Sequence, residues 1–350
     1  MRGVCRPSAL SSSSQVVRAL ARGLLYSIRV LRLLVPVLFT ACVAPGLSTY
    51  DDKDPAISNG GSGGGSCSAT AFTVTPVTPY IQLVVDGSGT MFQENLGGTQ
   101  KYQAVQNTLV QAGTGLLNTV QSKALFGASM YTSDACPKLF AAPCTLNNMA
   151  GISTALSDGA SQGNHLYDPL DKAITAVATT LAAAPAGSKK VIIVATDGVA
   201  NSCNSNSDNP TPAVTAATTA YTNQISTYII GLGNADGDGN WNTFQTNMAN
   251  AGVGGTGTTY NVTSPATLAT AYTTIFNLVL DCEMTLDGTI DIAQASLGTV
   301  KMNGTALEYT TDWTAVDDHT IKLVGQKCTD YNSAMTTPEI TATFTCGSSL

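Results

Sequence analysis

Ile81-Gln82-Leu83-Val84-Val85-Asp86-Gly87-Ser88-Gly89-Thr90-Met91 decides the reading of this chain. An apolar, β-branched run of this kind predicts a strand buried on both faces, as in a parallel sheet. It ends abruptly in a carboxylate, two hydroxyls and two glycines. That polar end falls at the strand's carboxyl end, where open α/β sheets bind ligands. Asp86, Ser88 and Thr90 offer hard oxygens at alternate positions of one turn, a donor set suited to Mg²⁺, Mn²⁺ or Ca²⁺.

A second run, Lys190-Val191-Ile192-Ile193-Val194-Ala195-Thr196-Asp197-Gly198, repeats the pattern. Parallel to the first, it would bring Asp197 to the same sheet edge as Asp86. Two carboxylates at one rim repel unless a cation lies between them. Around these runs, strands are expected at 124–131, 225–233 and 258–262, and helices at 101–117, 166–184, 211–221, 241–251 and 265–280. A Cys-bearing loop is expected after 131. Alternating strands and helices predict an α/β fold, a doubly wound and mostly parallel sheet.

The spacing Asp86-x-Ser88-x-Thr90 resembles the Asp-x-Ser-x-Ser signature of the von Willebrand factor type A family, with Thr90 supplying the last hydroxyl. Thr196-Asp197-Gly198 and the strand ending Gly231-Leu232-Gly233 match the family in the same order, so the resemblance covers residues 78 to 280. It implies a single divalent cation at a MIDAS-type site (metal-ion-dependent adhesion site), completed by an acidic side chain from a protein partner. A threonine in a Gly-Gly-Thr-Pro-Leu-type loop commonly adds a middle ligand. The matching stretch here is Gln162 to Leu170. Aligned on Gly163 and Leu166, it puts Asn164 in the threonine slot. Asp168 is the alternative, although an Asp before Pro169 also suits a helix N-cap.

Asn234-Ala235-Asp236-Gly237-Asp238-Gly239-Asn240 resembles the start of an EF-hand calcium loop, so Asn234, Asp236, Asp238 and Asn240 are candidates for a second Ca²⁺ site. Gln245 stands at its twelfth position in place of the bidentate Glu.

Charged residues make up 11% of the chain. Residues 1–42 hold six arginines and no acid, which leaves ten basic against 23 acidic residues beyond them. An acidic surface argues against nucleic acid as a partner. The arginine-rich start followed by a short apolar run (33–41) reads as a secretory signal, too short for an uninterrupted span. Phe39-Thr40-Ala41-Cys42 resembles a bacterial lipobox, with Cys42 as the lipidated residue. These features predict an exported chain, lipid-anchored to the cell envelope at the outer membrane or cell surface. The predicted organisation is a signal peptide at 1–42, a Gly/Ser-rich flexible linker at 43–75, the α/β domain at 76–281 and a small all-β module at 282–350.

Cys67, Cys136, Cys144, Cys203, Cys282, Cys328 and Cys346 suit disulfides in an exported chain, with one left over. Cys136 with Cys144 is one close pair, and Cys328 with Cys346 flanks an expected hairpin. Without a Cys-x-x-Cys, and with only His165 and His319, the chain lacks a zinc pattern. In the last module, alternating strands are expected at 289–292, 299–302, 320–324 and 339–344. The sequence as a whole predicts a non-enzymatic adhesion or protein-binding module. The alternatives are an envelope scaffold with a degenerate metal site and, further off, a metal-dependent hydrolase.

Overall fold

Two short strands, β1 (Thr70–Phe72) and β2 (Val74–Pro76), open the described part of a computed structural model, which covers residues 69–161, 166–233, 239–334 and 336–345. Cys42, Cys67, Asn164, His165, Asn234, Asp236, Asp238 and Cys346 lie outside the described residues, as do the signal and most of the linker. The chain divides into two units, Met1–Gly63 and Gly64–Leu350, and all described residues belong to the second.

After β2 comes β3 (Tyr80–Asp86), then α1 (Gly89–Gln93), the ribbon β4 (Asn95–Leu96) and β5 (Thr99–Gln100), α2 (Lys101–Val110) and α3 (Leu117–Val120). Next follow β6 (Leu125–Thr132), β7 (Lys138–Thr145), α4 (Met149–Ala160), α5 (Leu170–Leu181) and β8 (Lys190–Thr196). The hairpin β9 (Asn201–Ser202) and β10 (Ser205–Asp208) leads to α6 (Pro210–Thr222), β11 (Ile225–Leu232), α7 (Gly239–Val253), β12 (Tyr260–Val262) and α8 (Pro265–Val279).

The main sheet has the order β12-β11-β8-β3-β6-β7, parallel except for β7. Its two faces follow from the period of two along each strand. Ile81, Leu83 and Val85, with Val191, Ile193 and Ala195, pack under α2, α4 and α8 through Val105, Leu109, Ile152 and Tyr272. Val84, Ile192 and Val194 point the other way, onto Leu170, Ile174, Ala213 and Phe244 of α5, α6 and α7. Each such side chain, fully buried, contributes about 1.5–3 kcal/mol. Register fixes the site: Val85 stands opposite Ala195 and Asp86 opposite Tyr131, so Asp86, Thr196 and Asp197 share one edge.

Two elements, β7 and α4, occupy the stretch expected to be a Cys-bearing loop. β7 carries Pro143, which a central strand would exclude, but β7 is the sheet's edge, where a missing N–H costs nothing. α4 contains Gly151 and Gly159 and is rich in small residues, so its sequence looks like a loop, and α5 begins only at Leu170.

Beyond α8 run β13 (Glu283–Leu286), the 3₁₀ turn η1 (Ile292–Leu297), β14 (Thr299–Met302), β15 (Thr305–Ala306), β16 (Trp313–Ala315), β17 (Thr320–Leu323), α9 (Gly325–Ser333) and β18 (Ile340–Phe344). The strand expected at 289–292 is a turn into η1. Two four-stranded sheets, β1-β18-β14-β15 and β16-β17-β13-β2, enclose a core centred on Trp313 and Phe344. The flexible linker expected to run to 75 therefore ends earlier, because 70–76 are strands of this module. The module is built from both ends of the described chain, and the α/β domain is inserted between β2 and β13.

The cysteines pair Cys136–Cys203 and Cys282–Cys328. Cys144, expected near Cys136, is a free, half-buried thiol in β7. Cys328 sits in α9 and not at a hairpin, and its partner Cys282 marks the end of the inserted domain.

Candidate functional site

Asp86 ends β3 fully buried, with its carboxylate bonded on both oxygens. Oδ1 accepts the Ser88 N–H at 2.7 Å and Oδ2 accepts the Thr196 hydroxyl at 2.8 Å. The turn after it is tight because Gly87 donates its N–H to the Tyr131 carbonyl at 2.9 Å. A Cβ at Gly87 would lie 2.6 Å from that carbonyl oxygen, so only glycine fits there.

Ser88 and Thr90 then turn into α1, with their hydroxyls 3.3 Å apart. Both face Asp197 across the sheet edge. Its Oδ1 accepts from Thr90 Oγ1 at 2.9 Å and from Ser88 Oγ at 3.5 Å. Its Oδ2 accepts from Lys101 Nζ at 2.9 Å, and Lys101 also bonds Glu94.

Asp168 is the third buried carboxylate. Its Oδ1 accepts from the Tyr131 hydroxyl at 2.6 Å, and its Oδ2 lies 3.4 Å from Thr196 Oγ1. It does not cap α5, whose N-cap position is Pro169 with no side-chain cap bond. A reciprocal pair of bonds to Asn201 holds its backbone: Asp168 N–H to Asn201 Oδ1 at 2.7 Å and Asn201 N–H to the Asp168 carbonyl at 3.0 Å. The Cys136–Cys203 disulfide braces the hairpin that carries Asn201.

The electrostatics follow from three carboxylates sharing one dry edge. Burial, then the charge of Asp197, pushes Asp86 up to about 7, against the lowering effect of its hydrogen bonds. Asp168 is raised well above the carboxylate range by burial and by Asp86. Asp197 is raised too, through burial, although Lys101 works against the shift. The Tyr131 phenol is held far up by burial and by the neighbouring Asp168 and Asp86. Without a cation, burial and mutual repulsion disfavour full ionisation of this edge.

Of the residues expected at the site, Asp86, Ser88, Thr90, Asp168 and Asp197 are brought together around Thr196. A cavity of about 480 Å³ opens beside them, lined among others by Gln93, Tyr167 and Asn206. Asn164 lies outside the described residues. In the second acidic stretch, Asn240 falls in the first turn of α7, and Gln245 is buried against Gly231 of β11. The sequence reading missed Lys101, Glu94 and the Tyr131 bond. Lys101 opens a helix with nothing in its spacing to mark it, but Tyr131 could have been found from the register of the second predicted strand.

This oxygen-only set fits a hard divalent cation. Buried carboxylates with one lysine among them, beside two hydroxyls and an open cavity, are groups that such an ion would hold together. Among the described residues no three His, Cys, Asp or Glu side chains are grouped so that they alone could hold a metal ion. The hydroxyls of Ser88 and Thr90 would therefore belong to the ligand set.

The family profile of the von Willebrand factor type A domain matches residues 81–274. No curated protein matches the chain. Among solved structures, the SpaC pilus adhesin of Lactobacillus rhamnosus GG is 15% identical, with a TM-score of 0.47 over 77% of this chain and 39% of that one. The conserved hypothetical protein BatB of Bacteroides thetaiotaomicron is 15% identical, with a TM-score of 0.43 over 57% of this chain and 98% of that one. Proximal thread matrix protein 1 of the mussel byssus, solved with a zinc-occupied MIDAS motif, is 18% identical, with a TM-score of 0.40 over 60% and 49%. This chain thus spans about two fifths of SpaC, and at these identities no role is carried across.

Proposed function

The chain belongs to the von Willebrand factor type A domain family, and from that premise we propose that it is an adhesion or protein-binding module working through one divalent cation. Asp86, Ser88, Thr90, Asp168 and Asp197 would hold the ion, with Mg²⁺ or Mn²⁺ the best match to hydroxyl and carboxylate donors and Ca²⁺ a further candidate. The supporting observation is the convergence of three buried carboxylates and two hydroxyls on one sheet edge beside an open cavity. A partner would complete the shell with an acidic side chain. In this reading Asp168, and not Asn164, supplies the middle ligand, because its carboxylate already shares Thr196 with Asp86.

Binding is favoured over catalysis. The family premise supports binding, and a metal-dependent hydrolase, in which one of the buried carboxylates would have to serve as base, is the more distant alternative. A metal-independent envelope scaffold is the second reading. Lys101 supports it, since its ammonium already neutralises Asp197 without an ion. The signal, the lipobox at Cys42 and the Gly/Ser-rich stretch support export and tethering at the cell envelope; fatty-acid labelling lost in Cys42→Ala is the expected sign.

Thermal melting with Mg²⁺ or Mn²⁺ and with chelator tests the cation site. The metals should raise the melting temperature of the wild type, and Asp86→Ala and Asp197→Ala should abolish the rise. Equal responses of wild type and variants would remove the metal site and leave the scaffold.

A further inference from the structure

Lys101 is the least expected group at the site. It is the first residue of α2 and is 5% exposed, yet its ammonium reaches β8 to bond Asp197 Oδ2 at 2.9 Å. Its other charged partner, Glu94, lies on the outer side with its side chain 56% exposed. Space for the lysine stem is left by Gly233 at the end of β11, which has φ +90°; a Cβ there would lie 3.3 Å from Lys101 Cε. The lysine is thus accommodated by its surroundings.

The Asp197 carboxylate is divided between two neighbours. Oδ1 faces the hydroxyls of Thr90 and Ser88, and Oδ2 faces the ammonium. Asp86 and Asp168 have only hydroxyl or amide donors as partners. One resident positive charge therefore serves three carboxylates, and it sits one carboxylate away from the side where a metal would bind. A side chain in this position can act in two opposite ways. It fixes the rotamer of Asp197, which helps a ligand set. It also repels a dication through a dry, weakly screening interior. Repulsion wins, because Thr90 and Ser88 fix the same carboxylate independently, whereas a dication would have to share Asp197 with the ammonium, whose other acidic partner is the solvated Glu94.

We infer that Lys101 is the site's resident counter-ion: it stabilises the metal-free carboxylates and sets, by charge competition, how weakly the site holds a divalent cation. This rests on the cation-site reading above and specifies its regulation. The site would be occupied only where divalent ions are plentiful, as outside a cell, and would survive unfilled where they are scarce.

The test is Mn²⁺ binding by calorimetry, with thermal melting in parallel, on the full chain and three variants. Lys101→Met removes the charge and keeps the stem. It should bind Mn²⁺ at least tenfold more tightly than wild type while melting lower in chelator. Lys101→Arg keeps the charge and should stay within a few-fold of wild type. Damage to packing alone would weaken binding, so tighter binding is a readout that a merely structural role would not produce. If Lys101→Met does not fold, Glu94→Gln reports instead: with the outer counter-charge gone, Mn²⁺ should bind several-fold more weakly, and unchanged or tighter binding overturns the proposal. Equal or weaker binding by folded Lys101→Met, with the wild type still binding, overturns this inference alone. No binding by any of the proteins overturns the cation site and this inference with it.

Discussion

The two edges of the main sheet bury polar groups in opposite ways. At the carboxyl edge, Asp86, Asp168 and Asp197 crowd together with one lysine, and burial raises all three above the ordinary carboxylate range, Asp86 to about 7. At the amino edge, where the inserted domain meets the β module, each lysine finds acid or carbonyl partners. Lys189 and Lys322 pair with Asp281, and Lys322 also pairs with Glu283. Lys123 is 7% exposed and donates to the Tyr331 and Asn332 carbonyls at the end of α9, over the Tyr331 ring. Asn332 Nδ2 donates to the Leu280 carbonyl at 2.6 Å. Each edge has a buried lysine and a disulfide, but only the carboxyl edge has acids in excess. An edge left short of cations suits the cation site proposed above; an edge whose lysines are met by acids and carbonyls ties two parts together.

The contrast can be broken first by pH. The folded Asp86 titrates near 7 and its unfolded form near 3.8. Between those values the native state holds the extra proton, so metal-free stability is greatest at the acid end and is lost as pH rises toward 7. The loss should reach about 4 kcal/mol, with Asp168 and Asp197 acting in the same sense. Urea denaturation from pH 4 to 8 in chelator should show the decline, and Asp86→Asn should flatten it. The junction has the opposite sign. Burial pulls Lys123 down to about 8, so its native state releases a proton first and stability rises as pH climbs from about 8 towards the unfolded lysine value.

A smaller effect is expected from the junction disulfide. Replacing Cys282 and Cys328 by serine should cost about 2–4 kcal/mol, for a bond that closes 46 residues. Calorimetry should then resolve the β module melting ahead of the α/β domain. A single coincident transition would mean that the polar contacts alone make one cooperative unit. Smaller again is Lys123→Met. It strands the Tyr331 and Asn332 carbonyls and should cost about 1–3 kcal/mol, without changing metal binding at the far edge. A change in Mn²⁺ affinity would show that the two edges communicate.

The central strands were legible because burial on both faces writes a continuous apolar run, and Asp86 and Asp197 interrupt those runs abruptly. The same logic hid β7, since an edge strand tolerates Pro143 and carries a weaker pattern. Asp168 was legible as an alternative only. Its place depends on the Tyr131 hydroxyl and the Asn201 clamp, contacts made across 37 and 33 residues that no local pattern encodes. Disulfide partners failed for the same reason: Cys136 lies nearer in sequence to Cys144 than to Cys203, and the fold chose the distant one. β1 and β2 are three residues each, too short to show a period.

Those two short strands have a consequence for how the chain acquires its shape. β2 pairs with β13, Thr75 opposite Thr285, and the Val77 N–H reaches the Glu283 carbonyl at 2.9 Å. Topologically they are the arms of one hairpin whose loop is the entire α/β domain. Closing so long a loop from an unstructured chain carries a large entropic cost, and the few bonds of a three-residue strand do not offset it. The α/β domain must fold first and bring residues 77 and 283 together. During synthesis β1 and β2 emerge early; β2 stays unpaired until β13 is made, and β1 until β18 is made. The sandwich is therefore the last part to form, and a chain truncated before β18 would fold its α/β domain while leaving β1 without its partner.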